Sequence, residues 1–166
     1  MPAGKVIVIG NEKGGTGKST LAMHLIVWFL RQGKRVASID LDGRQGTLTH
    51  YIENRADYGE KHRLALGLPE HLTVSVREFP TESERKEDEV AFLYQVEKLK
   101  NENDVVVIDT AGADSALFRL AHSSADVLIT PINDSLIDLD VLAKVDAESL
   151  TVKAPGHYAQ TVWQAR

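Results

Sequence analysis

The feature that most limits what this chain can become is the run Glu12-Lys13-Gly14-Gly15-Thr16-Gly17-Lys18-Ser19-Thr20, set between two segments of different character. Before it, Lys5 to Gly10 is a short apolar run rich in β-branched residues, the pattern of a strand buried on both faces. After it, Lys18 to Gln32 places Leu21, Ala22, Leu25, Ile26, Phe29 and Leu30 at helical spacings, and Gly33 is a natural stop. Glycines at a strand-to-helix corner permit positive φ and bring backbone N–H groups close to an anion. The N-terminal end of the helix adds a field that favours phosphate. Lys18 supplies a charge for β- and γ-phosphates, and the Ser19 hydroxyl is placed to ligate Mg²⁺. Gly14, Gly15, Thr16, Gly17, Lys18, Ser19 and Thr20 are therefore the candidate triphosphate-binding residues.

The rest of the chain repeats the alternation. Arg35 to Asp40 is a second strand, completing a β–loop–α–β unit whose crossover should be right-handed. The pattern predicts a helix from Thr47 to Arg55, a short strand within Leu72 to Phe79, and a helix from Thr81 to Lys100. That last helix should bury Val90, Phe92, Leu93, Val96 and Leu99, with the acids of Glu82 to Glu89 at its solvated start. Asp104 to Asp109 reads most clearly as a strand, followed by a helix over Ser115 to His122 and a buried strand over Asp126 to Pro131. The expected fold is α/β, a mostly parallel sheet flanked by helices, in one domain over residues 1–166. Trp28 and Phe29 are expected in the core. The tail from Lys153 to Arg166 shows no clear periodicity and predicts no closing element.

Composition removes several classes. With no cysteine there is no disulfide framework, thiolate metal site or cysteine nucleophile. The six histidines show no metal-binding spacing, and nothing in the sequence links Ser115 with His122 as a catalytic pair. A net charge of −5 argues against bulk electrostatic binding of nucleic acid. No apolar run approaches the ~20 residues that span a bilayer. The N-terminus lacks the apolar core and cleavage site of a signal peptide, so the cytoplasm is the expected compartment.

A second chemical segment is Val105-Val-Val-Ile-Asp109-Thr110-Ala111-Gly112. Four apolar β-formers hold a strand rigid and present Asp109 at its tip, toward a metal; Mg²⁺ takes only one or two carboxylates. Gly112 could offer its N–H to a γ-phosphate. A third segment, Asp40-Leu41-Asp42-Gly43-Arg44-Gln45, follows the second strand, where ligands bind in open α/β sheets.

The deviant loop Lys13-Gly-Gly-Thr-Gly-Lys18-Ser19, together with these two segments, resembles the ParA/MinD family of P-loop ATPases. Scattered matches point within it to the MipZ branch: Asn11 to Gly15, Arg44-Gln45, Asp114-Ser115, Ala121-His122, Thr130-Pro131, Asn133-Asp134-Ser135 and the Leu150 to Trp163 region. Departures are Ala111, where the family often has proline, and Gly43 and Gly46, where MipZ proteins carry bulkier residues.

The resemblance implies a P-loop fold, ATP and Mg²⁺ as cofactors, and slow regulatory hydrolysis. It implies catalytic roles for Lys13, Lys18 and Asp42: Lys13 crossing a dimer interface to the partner's nucleotide, comparable to an arginine finger in trans, and Asp42 handling the attacking water. It places Asp40 as a supporting group near the metal, beside Ser19 and Asp109. The implied partners are a second copy in an ATP-dependent homodimer, a ParB-type protein, the division protein FtsZ and nonspecific DNA. The implied role is division-site placement with inhibition of FtsZ polymerisation, in the cytoplasm and on the nucleoid. Family members are considerably longer, and their adenine pocket and DNA-contacting residues cannot be located in this sequence. Two rival readings are a dethiobiotin synthetase-like phosphotransferase and a non-catalytic interaction module with a degenerate nucleotide site.

Overall fold

The computed structural model describes residues 3–75, 77, 80–134, 136–146, 148–149 and 151–165. In chain order its elements are β1 (Lys5–Ile9), α1 (Lys18–Arg31), β2 (Val36–Asp40), α2 (Thr47–His62), β3 (Glu70–Thr73), α3 (Glu82–Glu102) and β4 (Val105–Asp109). They continue with α4 (Ala116–Ser124), β5 (Val127–Ile129), α5 (Leu136–Leu139), β6 (Ala143–Val145), β7 (Val152–Pro155) and α6 (His157–Ala165). Five strands form a parallel sheet in the order β3-β2-β4-β1-β5, and β6 pairs with β7 as a separate antiparallel ribbon. The expected parallel sheet with flanking helices is thus the observed fold.

The continuous apolar runs of β1 and β4 follow from burial on both faces, because successive side chains in a strand point opposite ways. On one face Val6, Val8, Ile39, Val106 and Ile108 pack with Phe92, Val96 and Leu99 of α3 and Leu117 and Ala121 of α4. On the other, Ile7, Ile9, Val105 and Val107 meet Ala22 and Ile26 of α1 and Leu48 and Ile52 of α2. Each such buried aliphatic side chain contributes about 1.5–3 kcal/mol. The register then fixes the site: Ile9 and Asp40 both pair with Asp109, so β1, β2 and β4 end level at one edge of the sheet. The loops that follow them share one crevice.

Several expectations change. The α2 helix runs to His62, past Arg55, and β3 begins at Glu70 rather than inside Leu72 to Phe79. In α3 the capping box between Thr81 and Glu84 sets the start, but Val90 and Leu93 face solvent, because the helix lies against the sheet along a narrower stripe. Of the two aromatic residues expected in the core, Phe29 packs partly buried against it, whereas Trp28 is 54% exposed with its ring edge-on to Phe29. β5 is a half-exposed edge strand, not a buried one.

The tail holds the largest correction. Residues from Val152 form β7 and α6, and α6 packs on α4 through Tyr158, which is 1% exposed and lies against Phe118 and His122. Tyr158, Thr161, Val162 and Ala165 of α6 are wholly or partly buried and do stand at helical spacing. Over nine residues, and with a threonine among them, that stripe is too short to stand out in the sequence. Of the motifs quoted above, Phe79, Ser135 and Leu150 lie outside the described residues.

Candidate nucleotide site

The glycine loop leaves β1 and turns into α1 through Gly15 and Gly17, at φ 75° and 82°. A side chain would be strained in that left-handed region. The first turn of α1 contrasts with the starts of α3 and α4; α2 also begins at an uncapped glycine, Gly46, but there Asp40 accepts from the Thr49 N–H. Thr81 caps α3 and Ser115 caps α4, each with a hydroxyl that accepts from a backbone N–H. The start of α1 has Gly17 at the cap, no side-chain cap bond and no acid in its first turn. Its orphan N–H donors and the positive end of its dipole therefore lie at the crevice with no side-chain cap among the described residues.

That crevice is a cleft of about 540 Å³, lined by Gly14 to Thr20, by Asp42, Arg44, Gln45 and Thr47 from the loop after β2, and by Thr110 to Ala113 from the loop after β4. Gly112 sits against the glycine loop, with room for an added carbon only at 3.5 Å from the Glu12 carbonyl and the Gly14 nitrogen. The candidate binding residues thus come together on one wall, with Gly112 and Asp42 facing them. Arg44, Thr47 and Thr110 also line the cleft and were not among the candidate site residues; their signal was position, each standing within a few residues of Asp42 or Asp109.

Lys18 is buried, and its ammonium donates to the Lys13 carbonyl at 2.8 Å. Burial pulls its pKa below the ordinary lysine value, while the charges of Asp109 and Asp42 pull it back. The opposite happens across the cleft. Burial pushes the Asp109 carboxyl up to about 7, with the Ser19 hydroxyl and Lys18 opposing and Asp40 and Asp42 adding to the rise. One Asp109 oxygen, Oδ1, is buried with no hydrogen-bond partner, as is the Thr16 hydroxyl. A buried carboxylate oxygen without a donor is costly. A divalent cation beside Ser19 would supply the missing charge, and the donors of Lys18 and the α1 start fit a polyphosphate. Ser19 and Asp109 could hold such a cation. Mg²⁺ keeps several waters and takes only one or two carboxylates, so these two side chains are a sufficient set for it.

Asp40 is differently placed. Its Oδ1 accepts from the Asp42 backbone N–H at 2.9 Å, and its Oδ2 accepts from the Thr49 N–H and hydroxyl, both at 3.0 Å. Asp42 keeps its carboxylate at the cleft, where one oxygen faces the Gln45 N–H at 3.4 Å.

Lys13 does not line the cleft. Its ammonium is paired with Asp138 of α5, a carboxylate 2% exposed that also accepts from the Asn133 N–H. Around it, buried Asn11 accepts from the Lys13 N–H and donates to the Pro131 carbonyl, Glu12 pairs with His157 at 2.9 Å, and the Tyr158 hydroxyl donates to the Gly10 carbonyl. The first half of the loop is thus tied to the segment after β5. Asn11, Asp138, His157 and Tyr158 carried no local signal for this.

Comparison with known proteins agrees with the geometry. The sequence model of the family ATPase MipZ matches residues 5–166. The chromosome-partitioning ATPase Soj of Thermus thermophilus is 31% identical over 155 residues, covering 92% of this chain and 55% of Soj. The septum site-determining protein MinD of Helicobacter pylori is 30% identical, covering 89% of this chain and 61% of MinD. The chain therefore spans little more than half the length of these relatives. A plasmid partition protein of Borrelia burgdorferi shares the fold at a TM-score of 0.60 and 21% identity, over 83% of this chain and 69% of that one. Another from the same organism, solved bound to AMPPNP, superimposes at 0.59 and 21% identity, over 82% and 64% of the two chains. By its sequence and by its fold, this chain belongs to the ParA/MinD class of P-loop ATPases, in the MipZ family.

Proposed function

We propose that this chain is an ATP-binding and hydrolysing dimerisation switch that regulates division-site placement. The observation that carries the reading is the pairing of an uncapped helix start and buried Lys18 with a carboxylate whose buried oxygen lacks a partner. In this reading the N–H groups of the glycine loop, Lys18 and Thr20 hold the phosphates. Ser19 and Asp109 hold Mg²⁺, which when bound neutralises charge on the phosphate oxygens. Asp42 accepts a hydrogen bond from the attacking water and orients it. Gly112, packed on the loop, offers its N–H to the γ-phosphate.

Lys13 crosses to the nucleotide of a second copy, so dimerisation requires that Lys13 leave Asp138. The γ-phosphate then favours the dimer, and hydrolysis returns monomers. Partners follow from family membership: a ParB-type protein, nonspecific DNA and FtsZ, whose polymerisation the ATP-bound dimer inhibits. Relatives named for chromosome partitioning and septum siting support that assignment. Among the described residues no helix is long and apolar enough to cross a membrane.

Calorimetric titration with ATP and ADP, with and without Mg²⁺, tests the reading. Binding that strengthens with the γ-phosphate and Mg²⁺ is expected. An absence of binding would leave an interaction module and overturn it.

A further inference from the structure

We propose that Asp40 is a positioning residue for Asp42, held in place by an oriented hydrogen-bond chain running Ser38, His71, Thr49, Asp40. A single carboxylate grips both ends of one loop. Asp40 ends β2 and is 1% exposed. Its Oδ1 holds the N–H of Asp42 at the beginning of the loop, and its Oδ2 holds the N–H and hydroxyl of Thr49 in the first turn of α2. Between these anchors the Asp42 carbonyl accepts from the Gly46 N–H at 2.7 Å, closing the turn. The three donors to Asp40 compensate its buried charge.

The direction of the remaining bonds follows from proton counting. The Thr49 hydroxyl has one hydrogen, which goes to the carboxylate, the stronger acceptor. Its oxygen must then accept, from His71 Nε2 at 3.0 Å and from the Thr73 hydroxyl at 2.9 Å. His71 therefore carries its proton on Nε2, which leaves Nδ1 bare to accept from the Ser38 hydroxyl at 2.8 Å. Burial draws the His71 pKa down, in keeping with a neutral ring. The chain joins β2, β3 and α2, and neither Thr49 nor His71 lines the cleft. Both oxygens of Asp40 are engaged, so apart from its charge acting on Asp109 it reaches Asp42 through that residue's backbone. A small displacement of a water-orienting group can lower turnover by about a hundredfold.

The test compares Thr49→Val, which keeps the shape and the backbone donor but loses the hydroxyl, with Thr49→Ser, which keeps the hydroxyl. Hydrogen exchange is followed at the Asp42 amide in the nucleotide-free protein, alongside kcat and calorimetric ATP affinity. Thr49→Val is expected to lose at least about tenfold of the Asp42 amide protection and about ten- to a hundredfold of kcat, with ATP affinity unchanged. Thr49→Ser should restore both. His71→Phe, which keeps ring volume at an edge strand, should give the same pattern more weakly, and it serves where the valine variant does not fold. Equal Asp42 protection in Thr49→Val and the parent would overturn the proposal. So would a loss spread uniformly over the chain, the mark of a general stability effect. The kinetic arm rests on the hydrolysis reading above; the exchange arm does not. A parent without turnover whose Thr49→Val variant still loses Asp42 protection would sink that reading and leave this one standing.

Discussion

Replacing Asp109 with asparagine should make the nucleotide-free, metal-free protein more stable at pH 8, although Asp109 is central to the site. The native protein holds this carboxyl up at about 7, against an ordinary 3.8, chiefly because it is buried. Between those values the native state binds a proton that the unfolded chain has released, so stability falls as pH rises from about 4 to 7. The loss amounts to about 4 kcal/mol above pH 7, at ~1.36 kcal/mol for each pH unit of displacement. Asparagine keeps the shape of the neutral acid and has no charge to bury. The Asp109 charge also supports Lys18, and losing it takes back part of the gain. Urea unfolding of parent and Asp109→Asn in EDTA should show a gap that widens by about 3 kcal/mol between pH 5 and pH 8. Adding Mg²⁺ with ATP should close it from the parent side, because a cation beside the carboxylate favours the ionised form. Parallel stability curves for the two proteins across that pH range would refute the reasoning.

The ion pair between Lys13 and Asp138 gives a matched test. Lys13→Ala should keep nucleotide binding but abolish the ATP-dependent dimer. Asp138→Asn should favour the dimer by releasing Lys13, by more than the ~1 kcal/mol of a surface ion pair because the Asp138 carboxylate is buried. Size exclusion with light scattering reads both, and an unchanged dimer in Lys13→Ala removes Lys13 from its role. At Gly10 an added carbon would lie 2.4 Å from His122 Nε2 and 2.9 Å from the Tyr158 hydroxyl. Gly10→Ala should therefore cost about 1–3 kcal/mol through overpacking, seen as a lower melting temperature. A melting temperature equal to the parent's would show that His122 and Tyr158 do not close over Gly10.

The elements read most easily from the sequence are those whose residues answer to one local demand. β1 and β4 are apolar on every side because both faces are covered, and the Gly-Lys-Ser corner is set by backbone freedom and one helix start. Asp109 was legible because it ends such a strand. The family resemblance gave Asp42 the water and Asp40 a place near the metal, but their residue types alone supply no reason for the difference. The fold supplies one, with Asp40 taken up by backbone and hydroxyl donors and Asp42 left at the cleft. Trp28 misled because an apolar residue in an apolar helix carries no mark of which stripe the sheet will cover.

By itself the chain's order of residues determined a strand, a phosphate-seeking turn and a helix, and the type of sheet they build. Those outcomes depend on φ freedom, side-chain period and helix-end donors, all set within a few neighbouring residues. Where Lys13 finds its counter-ion, and what fastens Glu12 and Gly10 from behind, was decided only in three dimensions. Asp138, His157 and Tyr158 lie far along the chain and reach the loop because α6 packs on α4 and the segment after β5 folds back over the end of β1. Such contacts are set by how helices settle on a sheet, and no local pattern records that.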